Sequence, residues 1–174
     1  MTDEQIRVEQ TLDAWERIES WLREHAPSSY AALPPAAEPS AVQEAENTMG
    51  PLPPELRALW EIHDGTSQGL LRGYDLFSVA GCTASRSMME IVLDDLAGER
   101  PPWVQALATD TTDPFPRDFH FIDVRTGRLG WYSRENMFIP PEESEQTLSD
   151  RLEDVAEQLE AGGTQAVSDG RLTW

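Results

Sequence analysis

The sequence predicts an α+β domain. Amphipathic helical stripes stand near both ends of the chain, a hairpin pattern lies between residues 119 and 132, and the elements run as three helices, strands, a helix, strands and a last helix. That order lacks the regular alternation of a parallel α/β fold. A chain of 174 residues suits one domain, and at this size it buries about 70% of its unfolded surface without a metal or disulfide staple. We therefore expect a single domain over residues 1–163, with a mostly antiparallel central sheet flanked by helices, and a C-terminal tail over 164–174.

The first helix is expected over residues 3–25. Thr2-Asp3-Glu4-Gln5 has the spacing of a capping box, and Val8, Leu12, Trp15, Ile18 and Leu22 recur as one apolar stripe. Asp13 with Arg17, and Glu19 with Arg23, stand four residues apart, the spacing of helical ion pairs. Pro27 ends the helix. Residues 26–39 are rich in Ala, Pro and Ser and read as a connector. Ser40 and Gln43 repeat the capping spacing ahead of a short helix over 41–49, which Gly50 stops.

Leu52-Pro53-Pro54-Glu55-Leu56 opens a third helix, since proline is tolerated where its missing N–H is not needed. Leu52, Leu56, Leu59, Trp60 and His63 share its face, and Asp64-Gly65 ends it. From Gly69 to Val79 the pattern is strand-like: Tyr74, Leu76 and Ser78 alternate with Asp75, Phe77 and Val79. Helical spacing returns over 85–96 through Met88, Met89, Val92 and Leu96. A second β region begins near Trp103. Its clearest part, 119–124, is apolar on both faces, as a covered central strand is, and the turn Arg125-Thr126-Gly127-Arg128 leads into Leu129-Gly130-Trp131-Tyr132 as a hairpin. The last helix spans 147–161. Thr147 and Asp150 resemble a cap, the stripe is Leu148, Leu152, Val155, Ala156 and Leu159, and Gly162-Gly163 stops it. The tail is either mobile or docked through Leu172 and Trp174.

The charge balance separates this chain from an ordinary globular sequence. Thirty-two acidic residues stand against 13 basic ones, a net charge of -19. All the basic residues are Arg, so a lysine Schiff base and a P-loop lysine are excluded. The acidity argues against direct DNA or RNA binding, which places cations on phosphates. Cys82 is the one cysteine, which excludes an intramolecular disulfide and fits a reducing compartment. No apolar run is long enough to span a membrane, and residues 1–7 lack a signal-peptide pattern. We expect a cytoplasmic protein with no cofactor.

The segment Gly50-Pro51-Leu52-Pro53-Pro54-Glu55-Leu56-Arg57-Ala58-Leu59-Trp60-Glu61-Ile62-His63-Asp64-Gly65 resembles the motif of the SUKH superfamily, the group of the fungal cell-wall-assembly regulator and many bacterial immunity proteins. The family pattern is a glycine, Leu-Pro and an acid, an amphipathic helix, then a polar residue and Gly, commonly Asn-Gly; Asp64 stands here in place of the Asn. An N-terminal helix with central Trp15, the strand after Gly69, the segment Phe121 to Tyr132 and the C-terminal helix are similar too. The resemblance covers roughly residues 10–162 within ordinary boundary error. It implies a single α+β domain with a protein-binding role, no catalytic residues to carry over, and immunity against toxins, often nucleases, as a common role. The Ala/Pro connector and the tail depart from the family.

Two enzymatic motifs compete with that expectation. Gly65-Thr66-Ser67-Gln68-Gly69 matches G-x-S-x-G, but the nucleophile elbow needs a strand before it and a helix after it, the reverse of the order expected here. His63-Asp64 resembles a metal-binding dyad, but only His25 and His120 remain, without ligand spacing. The alternatives are that Ser67 lies in a glycine-rich turn, His63 packs at a helix C-terminus and Asp64 assists the turn. Cys82 is expected as a small buried side chain.

A non-enzymatic binding domain follows as the expectation, of immunity type, acting on a basic toxin. The other readings are a regulatory scaffold for a cellular protein and a small hydrolase using Ser67 or His63 and Asp64. Between Glu135 and Asp169 ten acids stand against one Arg. The expected contact residues are Glu142, Glu143, Glu145, Asp150, Glu153, Asp154 and Glu157, which would steer a basic partner, with Trp131 and Tyr132 as aromatic anchors.

Overall fold

The computed structural model describes residues 1–99, 102–135 and 137–174. These form an α+β chain: helices α1 (Asp3–His25), α2 (Pro27–Ala31), α3 (Pro39–Met49), α4 (Pro54–Trp60), α5 (Val79–Ala97) and α6 (Leu148–Ala161), and strands β1 (Asp75–Leu76), β2 (Trp103–Ala108), β3 (Asp118–Asp123), β4 (Leu129–Ser133), β5 (Met137–Ile139), β6 (Ala166–Ser168) and β7 (Arg171–Thr173). The first five strands make one antiparallel sheet in chain order, and the last two a separate hairpin. No helix among the described residues is long and apolar enough to cross a membrane.

The two longest amphipathic stripes find each other. Thr2 accepts the Gln5 N–H and the Gln5 side chain accepts that of Thr2, so α1 begins at the expected capping box. Thr147 and Asp150 do the same for α6, and Gly162 closes it in the left-handed conformation. Helix α1 packs on α6 and on α4. Leu56, Leu59 and Trp60 enter one core with Trp15 and Ile18, while Leu12 is half-buried. The central strand is β3, as its two apolar faces predict. Gln105, Phe119 and Phe121 share the face toward α5, where Ser85 donates to the Gln105 side chain. Leu107, His120 and Ile122 share the other, where Arg151 of α6 stands beside Tyr74.

Several expected boundaries differ, each for a tertiary reason. Helix α3 begins at Pro39 with Glu38 before it and no side-chain cap, so Ser40 lies inside the helix. The Ala/Pro connector contains α2, tied to the tail: Ser28 and Ser29 donate backbone N–H groups to the Gly170 carbonyl, and Ser29 accepts the Leu172 N–H at 2.8 Å. The tail is thus an ordered hairpin, with Leu172 buried and Trp174 donating to the Leu70 carbonyl at 3.0 Å. Arg17 reaches Glu160 instead of Asp13, and Arg23 contacts Tyr30 instead of Glu19, because a neighbouring element offers each a partner. Strand β5 carried no sequence signal.

The largest difference lies between Trp60 and Val79. Helix α4 ends at Trp60, the strand-like stretch keeps only two strand residues, and α5 starts at Val79. Polar contacts explain all three. The Trp60 indole donates to the Phe77 carbonyl at 2.7 Å. Asp64 accepts the Val79 N–H at 2.8 Å, and Ser78 caps α5 through the Gly81 N–H. Thr66 donates to Asp75 at 2.9 Å and accepts the Leu76 N–H at 2.8 Å. Asp75 also accepts the Gly69 and Leu70 N–H groups, closing the loop between them. Gly65, at φ +89°, lies so close to β1 that a Cβ there would stand 2.8 Å from the Ser78 nitrogen and 2.9 Å from the Leu76 oxygen.

We predict that Trp60→Ala lowers stability by about 3–5 kcal/mol, the range for deleting a large buried aromatic. Trp60→Phe keeps a ring but orphans the Phe77 carbonyl, at a cost of about 1–3 kcal/mol. Urea unfolding measures both, and a Trp60→Phe midpoint equal to wild type would contradict the hydrogen-bond assignment.

Candidate partner-binding surface

The helix that carries most of the expected contact acids does not present them as one set. Asp150 is taken up by its cap, accepting the Thr147 N–H and hydroxyl at 2.7 Å each. Asp154 accepts from Gln146 at 3.3 Å. Glu142, Glu143 and Glu145 are exposed, the first two on a single 3-10 turn, Pro141–Glu143. Glu153 and Glu157 are exposed on the side of α6 that meets Arg17 of α1.

That side joins α1 in an open groove of about 730 Å³. Asp13, Glu16 and Glu24 line it from α1, and Glu160 lines it from α6. Arg17 bridges the helices, donating to both Glu160 oxygens at 2.9 and 2.6 Å, with Glu153 at 3.7 Å. This ion pair raises the guanidinium's pKa, chiefly through the Glu160 hydrogen bond, and lowers the Glu160 pKa through the same bond. Trp21 stacks on His25 at 4.8 Å, four residues and about one turn along α1. The groove therefore combines excess carboxylates, one committed cation and a half-buried indole.

The contribution of α1 was missed in the sequence. Its signal was present, for Asp13, Glu16, Ser20 and Glu24 recur at helical spacing, but nothing local places α6 beside them.

Trp131 and Tyr132 are adjacent in β4 and so turn to opposite faces of the sheet. Tyr132 packs against Phe119 and Phe115 at 5.0 and 6.0 Å. Trp131 stacks near His120 at 6.5 Å, and His120 lies 5.1 Å from Tyr74, over which Arg151 sits. Neither aromatic lines the acidic groove, and Trp131 stands nearest to a cation-bearing cluster.

Two residues of the enzymatic motifs, His63 and Asp64, hold the fold in place. His63 has one ring nitrogen on the Pro34 carbonyl and the other 3.1 Å from Glu19, and Asp64 holds the start of α5. Ser67 is exposed in the loop just before the turn at residues 68–72. Cys82 is buried against the Gln105 carbonyl at 3.4 Å, and burial pushes its thiol up to about 12. Among the described residues no group of three or more His, Cys, Asp or Glu stands where it would hold a metal ion. Neither the known protein families nor the curated proteins contain a match to this chain.

Burial, and then the Arg151 charge, hold the His120 imidazole down at about 4. A depressed histidine stabilises the fold fully above the unfolded value near 6.5, and the contribution is lost as pH falls from there through about 4. We predict that the wild type loses about 2 kcal/mol of stability relative to His120→Phe from about pH 7.5 to about pH 5, at up to 1.4 kcal/mol per pH unit. Denaturant unfolding at both values checks this; parallel pH profiles would contradict it.

Proposed function

We propose that this chain is a non-enzymatic binding domain of immunity type, which neutralises a basic toxin domain by docking it in the acidic α1–α6 groove. The observation that carries this reading is the convergence of carboxylates from two helices around Trp21, with Arg17 already bridged to Glu160. A basic partner gains charge complementarity on approach and a flat aromatic anchor on contact. The resemblance of residues 50–65 to the SUKH motif supports the same role, and the structural duties of His63 and Asp64 favour binding over hydrolysis.

Glu153 and Glu157 keep their place in this reading as rim charges. Glu142, Glu143 and Glu145 contribute to the long-range field, while Trp21 replaces Trp131 and Tyr132 as the anchor. Co-purification from native lysate at low and high salt retrieves the partner, which should leave at high salt because exposed charges are screened over about a nanometre.

With that partner, Glu153→Gln, Asp154→Gln and Glu157→Gln together should slow association about tenfold and flatten its salt dependence, with little change in dissociation. Trp21→Ala should chiefly speed dissociation, by a factor that corresponds to about 2 kcal/mol. Stopped-flow kinetics separates the two, and unchanged rates in both variants would remove the groove from the interface.

A further inference from the structure

Helix α5 is apolar on two sides. Val79, Cys82, Met89 and Leu93 face the core. Met88, Ile91 and Leu96 do not, and are 40%, 60% and 48% exposed. With half-buried Val92 between them they form a second stripe, which continues across a groove of about 330 Å³ to Tyr132, Phe138 and the half-exposed Met137. The other exposed large apolar residues are Met1, Ile6, Ile62, Ile139 and Val167. A continuous apolar stripe on a chain of net charge -19 calls for a partner.

We propose that the groove between α5 and strands β4 and β5 is a second docking site, whose occupant is an amphipathic helix with apolar anchors and basic flanks. Charge selects this occupant. Asp95 lines the groove, no cation among the described residues does, and the chain carries a net charge of -19. A second copy of this chain would bring the same negative charge to the contact. Length fits a helix as well: Met88 to Leu96 rises about 12 Å, two turns, which matches partner anchors at i, i+3 or i+4, and i+7. Methionine walls adapt to varied apolar side chains. This site lies on other elements than the α1–α6 groove and does not depend on it.

The probe is a fluorescein-labelled 18-residue peptide with Leu at helical i, i+3, i+4 and i+7 positions and Lys elsewhere, titrated against the full chain by anisotropy. A second peptide has Glu at every Lys position. The Lys peptide should bind and the Glu peptide should not. Ile91→Ser with Leu96→Ser should weaken binding about tenfold or more, while Glu153→Gln, Asp154→Gln and Glu157→Gln together should leave it within about twofold, since a salt-steered contact elsewhere does not hold the peptide. Met137→Ser alters the facing wall and should also weaken binding, so the test survives if the α5 variant fails to fold. Unchanged affinity in the Ser variants, equal binding of the Glu peptide, or a wild-type dimer in sedimentation that the Ser variants dissolve would overturn the proposal.

Discussion

The rest of the fold hangs on a small buried polar junction between the end of α4 and the start of α5. Trp60 holds the Phe77 carbonyl, Asp64 the Val79 N–H, Thr66 the Leu76 N–H, and Asp75 the loop that returns the chain. These bonds join helix to sheet where no regular ladder does. They fix α4 beneath α1, and so α1 against α6; they also set where α5 starts, and thus which of its faces meets the sheet. A buried N–H or carbonyl left without a partner there would cost about 1–3 kcal/mol, so the junction tolerates little variation.

That junction also explains how far the fold was legible. Signals confined to a few neighbouring residues were readable: the capping boxes at Thr2 and Thr147, the stop at Gly162, and the hairpin around Gly127. The stretch 69–79 was readable only at the two residues of β1, Asp75 and Leu76. Around them the alternation belongs to a loop and a helix start, where Thr66 takes the Leu76 N–H and Asp64 the Val79 N–H, so period alone misled. The helical spacing of α5 was visible, but Met88 and Leu96 belong to its outer stripe and only Met89 of the marked residues to its buried one. Which stripe meets the sheet is a tertiary fact.

The candidate surface was half legible for the same reason. Composition announced the acidic character, and the α6 periodicity placed Glu153 and Glu157 on a polar side. The opposing wall from α1 depends on packing between residues more than a hundred positions apart, as the Arg17–Glu160 bridge illustrates. A period of two in β4 was enough to separate Trp131 from Tyr132, whereas one turn of helix brings Trp21 onto His25. Charge density thus locates a surface, but element packing decides which aromatics belong to it.

The segment from Trp60 to Val79 is a structural junction whose polar contacts set the place of α4 and the start of α5. Native-state hydrogen exchange of the Leu76 and Val79 amides tests this most directly. Both should exchange only through global unfolding in the wild type, and Asp64→Ala should lower protection at Val79 more than at Leu76. Exchange at both amides as fast as at exposed loop positions would contradict it.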